Sequence, residues 1–158
     1  MGQRLIYILS FFGSLFKKSS LSPIEQKCGY RFKNKAYLKQ AFSHRSISTQ
    51  PRENYERLEF LGDAVIDIVV SRELMREFPE GDEGILTQKR SALVQKSFLS
   101  TMGQLLDLLD YIEIEPNVDL SQDKIALKQA ANLYEALIGA IYLDAGLKSA
   151  KKVILSTL

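Results

Sequence analysis

Residues 56–63 read Glu56-Arg57-Leu58-Glu59-Phe60-Leu61-Gly62-Asp63, and this stretch decides how the chain is read. Glu56, Glu59 and Asp63 stand three and four residues apart. On an α-helix that spacing stacks three carboxylates on one face, with neighbouring Cβ atoms about 5–6 Å apart. Like charges placed this way cost a bare helix a few tenths of a kcal/mol per pair, roughly. The same helix continues through an apolar stretch, so the carboxylates also bear a desolvation cost. A divalent cation removes both penalties. Oxygen ligands of this kind suit Mg²⁺, with Mn²⁺ as a substitute.

A second segment, Ala131-Asn132-Leu133-Tyr134-Glu135-Ala136-Leu137-Ile138-Gly139-Ala140, places Asn132 and Glu135 three apart inside an apolar run. Two such helices packed face to face would offer Glu59, Asp63, Asn132 and Glu135 to one ion.

These segments resemble the signature regions of the ribonuclease III family, which cleaves double-stranded RNA with divalent metal ions. Asn54 to Ala64 is similar to its best-known motif nearly letter for letter, and Glu135 to Asp144 to its second. Phe42-Ser43-His44-Arg45-Ser46 resembles an early landmark. Asp82-Glu83-Gly84, followed by Leu86-Thr87 and Arg90, resembles the segment after the signature helix. The likeness runs over residues 21–158, with the motifs in the family's order.

The resemblance implies an all-α fold: a single helical endonuclease domain over residues 21–158, preceded by an N-terminal extension, residues 1–20, and assembled as a two-fold homodimer. It implies Mg²⁺ held by Glu59, Asp63, Asn132 and Glu135, with Asp63 and Glu135 as the essential catalytic pair. Glu56 and Glu83 would be supporting acids near the cleavage site. Phe60 would seat in a hydrophobic socket of the second subunit; the bland alternative is an ordinary core phenylalanine. The reaction would be hydrolysis of an RNA duplex to 5′-phosphate and 3′-hydroxyl ends. Bacterial members carry a separate RNA-binding domain after this point, so a chain limited to the nuclease domain should bind RNA more weakly and with more salt sensitivity.

One position departs from the pattern. The family has aspartate where this chain has Asn132. Asparagine keeps a carbonyl oxygen able to coordinate a hard cation. It loses a negative charge and a possible proton acceptor. Three readings stay open: weakened cleavage, a change introduced to trap a complex, or a chain that no longer cuts and instead binds structured RNA as a dimer. A purely structural dimerisation domain is a further alternative, against which the retained Glu59, Asp63 and Glu135 stand.

Charge is distributed unevenly. Residues 1–52 hold ten Lys/Arg against one acid, Glu25, whereas residues 53–158 hold eleven against eighteen acids. A basic first third can steer a polyanion toward an acidic, metal-loaded centre. Arg45, Arg52, Lys89 and Arg90 are the candidate RNA contacts. A length of 158 residues suits one domain with a full core. A single cysteine, Cys28, excludes an internal disulfide and fits a reducing, cytoplasmic setting. The apolar run Leu5–Phe16 is too short to span a bilayer, so no membrane partner is expected.

The remaining pattern is helical. Ser22-Pro23-Ile24-Glu25 is a capping box with proline at the first helical position, and that helix should stop at Gly29. Asn34 should cap a second helix. Asn54 should cap the signature helix, which Pro79 ends and whose apolar face reads Leu58, Leu61, Val65, Ile68 and Val69. Helices are expected over 85–94 and 97–109. Another should run from Gln122 to about Asp144, closed by Gly146 as a left-handed cap before a last helix over 147–158. Residues 111–120 read as a loop, and no strand is expected. Gly62, inside a helix, costs about 1 kcal/mol relative to alanine. It therefore marks a close approach, expected at the subunit contact, with Gly139 serving helix packing in the same way. His44, the only histidine, is read as a structural hydrogen-bonding residue.

Overall fold

A computed structural model describes residues 21–157, so the extension over residues 1–20 lies outside the described residues. Six α-helices and one 3₁₀ turn follow in order: α1 (Pro23–Cys28), α2 (Lys35–Ala41), α3 (Glu56–Glu77), α4 (Glu83–Val94), α5 (Lys96–Leu105), the 3₁₀ turn (Leu108–Tyr111) and α6 (Asp123–Thr157). No strand forms among the described residues. A single parallel bridge, Ser43 to Glu113, ties the loop after α2 to the loop before α6.

Short polar signals set the helix starts. The Ser22 backbone N–H and hydroxyl both donate to Glu25 Oε2, and Gly29 closes α1 in the left-handed region. Asn34 Oδ1 accepts from the Ala36 N–H, and Asn54 Oδ1 from the Glu56 N–H. Asp82 Oδ1 accepts from the Ile85 N–H, which starts α4 at Glu83, two residues ahead of the expected position. The helix expected over 97–109 ends at Leu105. Asp107 takes φ 50°, and the chain re-enters as the 3₁₀ turn.

The core is organised around α6. Every residue from Gln129 to Ile141 is buried, as suits a helix enclosed on all sides. α3 and α5 cross it, and α2 closes another flank. Small residues permit these crossings. A Cβ at Gly62 would collide with the Glu135 carbonyl, one at Gly139 with the Leu58 carbonyl, and one at Gly103 with the Ala130 carbonyl. Gly62 and Gly139 thus face each other within one chain. The expectation that Gly62 serves the subunit contact is corrected: its close approach is to the chain's own second motif.

Two further expectations are revised. Ile68 is 56% exposed, while Ile66 and Val70 are buried. Leu58, Val65 and Val69 are buried as expected, so the buried face of α3 extends toward Ile66 and Val70 and away from Ile68. Gly146 does interrupt α6, but with φ 77° and ψ −178° it is not in the left-handed helical basin. It occupies a region essentially restricted to glycine, and the helix resumes beyond it.

Candidate active site

The crossing of Gly62 with Gly139 determines the site. Glu59 and Asp63 flank Gly62 along α3, while Asn132 and Glu135 lie about two turns and one turn before Gly139 on α6. Bringing the two backbones together therefore aims all four side chains at the junction. Glu56, Glu59, Phe60, Asp63 and Glu135 line one open cavity of about 390 Å³, together with Lys96. Asn132 borders the adjoining cavity with Glu56 and Glu59.

Lys96, the first residue of α5, was not singled out from the sequence. Its Nζ donates to Glu135 Oε2 at 2.6 Å and to Asn132 Oδ1 at 3.0 Å, and lies 3.4 Å from Glu59 Oε1. Oxygens from both signature helices thus converge on one cation, which is the chain's own ammonium. Glu135 is 1% exposed and Asn132 8%, so both polar groups depend on partners inside the protein.

Electrostatics follow from this enclosure. Burial pushes the Glu135 carboxyl up to about 7; Lys96 pulls it back, and Glu59 and Asp63 push it further up. Burial likewise raises Glu59, against the attraction of Lys96. Burial works against the Lys96 ammonium, but its bonds to Glu135 and Glu59 outweigh that and hold its pKa above the ordinary lysine value. The centre is an acidic cluster in need of positive charge.

Among the described residues, no three His, Cys, Asp or Glu side chains converge closely enough to hold a metal by themselves. The donor chemistry nonetheless fits a hard cation, being entirely oxygen from carboxylate and amide groups. The point where three of those oxygens meet is the seat of Lys96. Its side chain is 51% exposed and flexible, so it can leave toward solvent.

Other expected residues separate into two groups. Arg45 stays with the site: its Nη1 lies 3.7 Å from Glu56 Oε1, and it lines a cavity of about 500 Å³ with His44, Lys124, Lys128, Gln129 and Asn132. Gln129 accepts from the Tyr55 hydroxyl, and its Nε2 has no hydrogen-bond partner among the described residues. Glu83, by contrast, is not brought to this centre within one chain. It accepts from the Thr87 hydroxyl and lines a separate cavity with Leu86 and Arg90. Arg90 donates to Ser71, and the Lys89 ammonium sits 4.0 Å over the Phe78 ring. Arg90 thus ties α4 to α3, and Lys89 ties it to the residue that follows α3. Arg52 lies beside Phe60 in another cavity.

Phe60 is 82% exposed, which excludes a core role. It borders a mainly apolar cavity of about 600 Å³ with Leu58, Leu61 and Leu143. His44 makes the local hydrogen bond expected of it, its Nδ1 accepting from the Ser46 N–H, and its ring lies near Tyr55. Cys28 is buried in the core. Asp144, the last residue of the second motif, accepts from the Tyr30 hydroxyl and the Lys33 and Asn34 N–H groups, tying α6 to the start of α2. No helix among the described residues is long and apolar enough to cross a membrane.

Comparison with known proteins bears on the family and the fold. Residues 34–158 match the family model described as Ribonuclease-III-like. Ribonuclease 3 of a Sulfurovum species is 39% identical over 137 residues, covering 87% of this chain and 60% of that protein. Ribonuclease 3 of Campylobacter fetus is 38% identical over 138 residues, covering 87% and 61%. The chain therefore spans about three fifths of the length of these relatives. The nuclease domain of ribonuclease III from Campylobacter jejuni superposes with a TM-score of 0.81 at 36% identity, over 87% of this chain and 95% of that one. That structure is described by the flexibility of a region involved in dimer formation.

Proposed function

Since this chain belongs to the ribonuclease III family, we propose that it is a dimeric endoribonuclease that hydrolyses double-stranded RNA with the aid of Mg²⁺, or of Mn²⁺ in its place. One observation carries the reading: oxygens of Glu59, Asn132 and Glu135, from two helices, converge on a single cation seat beside Asp63. Glu59, Asp63, Asn132 and Glu135 would hold the ion. When bound, such an ion supplies charge neutralisation at the phosphate and a more acidic water. Asp63 and Glu135 orient the reacting groups, and the Gly62–Gly139 crossing fixes their separation. Arg45, Lys124 and Lys128, beside the acids, favour an RNA phosphate. Phe60 and its apolar cavity support a self-complementary contact between two copies.

A second reading, a dimer that holds structured RNA without cutting it, is favoured by two features of the same centre. Asn132 supplies one charge fewer than the family's aspartate, and Lys96 stands in the cation seat. Incubation of the protein with an end-labelled RNA duplex in Mg²⁺, Mn²⁺ or chelator separates the two. Cutting that requires the ion supports the enzyme. Retention of intact duplex in all three supports the binding module, and absence of any interaction refutes both.

A further inference from the structure

Lys96 has no part in the chemistry outlined above, yet it makes the shortest polar contact in the centre. Its Nζ bridges Glu135 and Asn132 on α6 and approaches Glu59 on α3. It forms ion pairs with both Glu59 and Glu135, whereas Lys128 acts on Glu59 only at longer range. Lys96 opens α5, and that helix is fixed by the Gly103 contact with Ala130 on α6, so the root of the side chain is placed by the fold. Its half-exposed stem leaves the ammonium free to swing outward.

We infer that Lys96 is a built-in counter-ion that occupies the cation seat and competes with a divalent ion for it. An ion entering the centre must take Glu135 Oε2, Asn132 Oδ1 and Glu59 Oε1 from the ammonium. The resting protein keeps its buried Glu135 paired without any metal, which allows the crossing of α3 and α6 to form in an ion-poor setting. The same contact raises the ion concentration needed to load the centre. Asn132 acts in the same direction: it accepts from the ammonium while giving the ion a neutral ligand in place of a carboxylate. This inference rests on the metal-centre reading above, but it concerns binding of the ion and not cleavage.

The test uses the whole chain with no RNA present. Free Mn²⁺ is measured by electron paramagnetic resonance during titration of wild type, Lys96→Met and Lys96→Gln. Losing one charge-assisted hydrogen bond to a competitor is expected to tighten Mn²⁺ binding by about tenfold in both variants. Mn²⁺ should also raise their melting temperatures more than that of wild type. Equal affinities, or no Mn²⁺ uptake by any of the three, overturn the proposal. Should neither variant fold, the wild type decides: its Lys96 side-chain ¹⁵N signal should shift as Mg²⁺ is added, and a signal that stays fixed up to the concentration that shifts Glu135 or Asp63, or throughout the titration, overturns it. Tighter binding without cleavage of a duplex would instead count against the endonuclease reading and leave this one standing.

Discussion

Replacing Gly62 with alanine separates local helix preference from tertiary packing, because the two act in opposite directions. Alanine in a helix interior is favoured over glycine by about 1 kcal/mol. At position 62 the new Cβ would meet the Glu135 carbonyl and the Gly139 N–H, both backbone atoms that cannot rotate aside. Relieving that overlap forces α3 and α6 apart, and overpacking of this kind costs about 3 kcal/mol at the upper end of its usual range. The net expectation for Gly62→Ala is a loss of about 2 kcal/mol. In a domain of this size that lowers the melting temperature by about 4–8 °C. Gly84→Ala is the control. Its Cβ would meet only Asp82 Oδ1, at an ordinary 3.4 Å, so helix preference alone should act there and leave the protein equally or slightly more stable. Thermal and urea unfolding followed by circular dichroism reads both variants. A Gly62→Ala protein as stable as wild type would refute the account of the crossing, and with it the reason the four site residues meet.

Three other outcomes follow from the same geometry. Asn132→Asp should raise Mg²⁺-dependent cleavage of an RNA duplex by about tenfold, since it restores a charged ligand; equal rates for the two proteins would remove Asn132 from the ligand set. Phe60→Ala should shift a dimer toward monomer in sedimentation or light scattering, because an 82% exposed phenylalanine beside an apolar cavity needs a cover; an unchanged dimer would count against that contact. Glu25 is buried, and although burial alone would raise its pKa, Lys35 and the Ser22 and Phe32 N–H groups hold it near 2, against an ordinary 4.5. A carboxylate depressed by folding stabilises the native state above its unfolded pKa and loses that contribution as pH falls toward the folded value. Wild type should therefore lose about 2 kcal/mol more than Glu25→Gln between pH 7 and pH 3 in urea unfolding; parallel losses would show that Glu25 is not the linked group.

Most of the secondary structure was legible before any tertiary information. Caps act over three or four residues, so Ser22 and Asn34 announce their helices from sequence and Gly29 announces a stop; Asn54, expected to cap α3, instead bonds the Glu56 N–H from the residue before the cap position, Tyr55. The carboxylate spacing was legible for the same reason, since helical periodicity fixes angular position about a helix's own axis. Glu56, Glu59 and Asp63 do line one cavity. The limits appear where a second element intervenes. Ile68 fits the apolar periodicity of α3, yet it is exposed while the sector holding Ile66 and Val70 is buried. Glu25 read as a capping-box residue and the single acid of a basic segment, whereas its burial and its pairing with the exposed Lys35 depend on the return of the chain through Phe32.

By itself the sequence determined an all-helical domain, most of its helix starts and two helices carrying regularly spaced acids, because each of these is written in short-range spacing; the family followed from the resemblance of its motifs. The tertiary structure alone decided that Gly62 meets Gly139 within one chain, that Glu83 stands apart from the centre, and that Lys96 reaches residues 36, 37 and 39 positions away. The physical reason is that backbone hydrogen bonding orients a side chain about its own helix and leaves open which helix it will face. A lysine with a long, flexible stem carries no local mark of the carboxylate it will neutralise; only the packing of α3 and α5 onto α6 selects it.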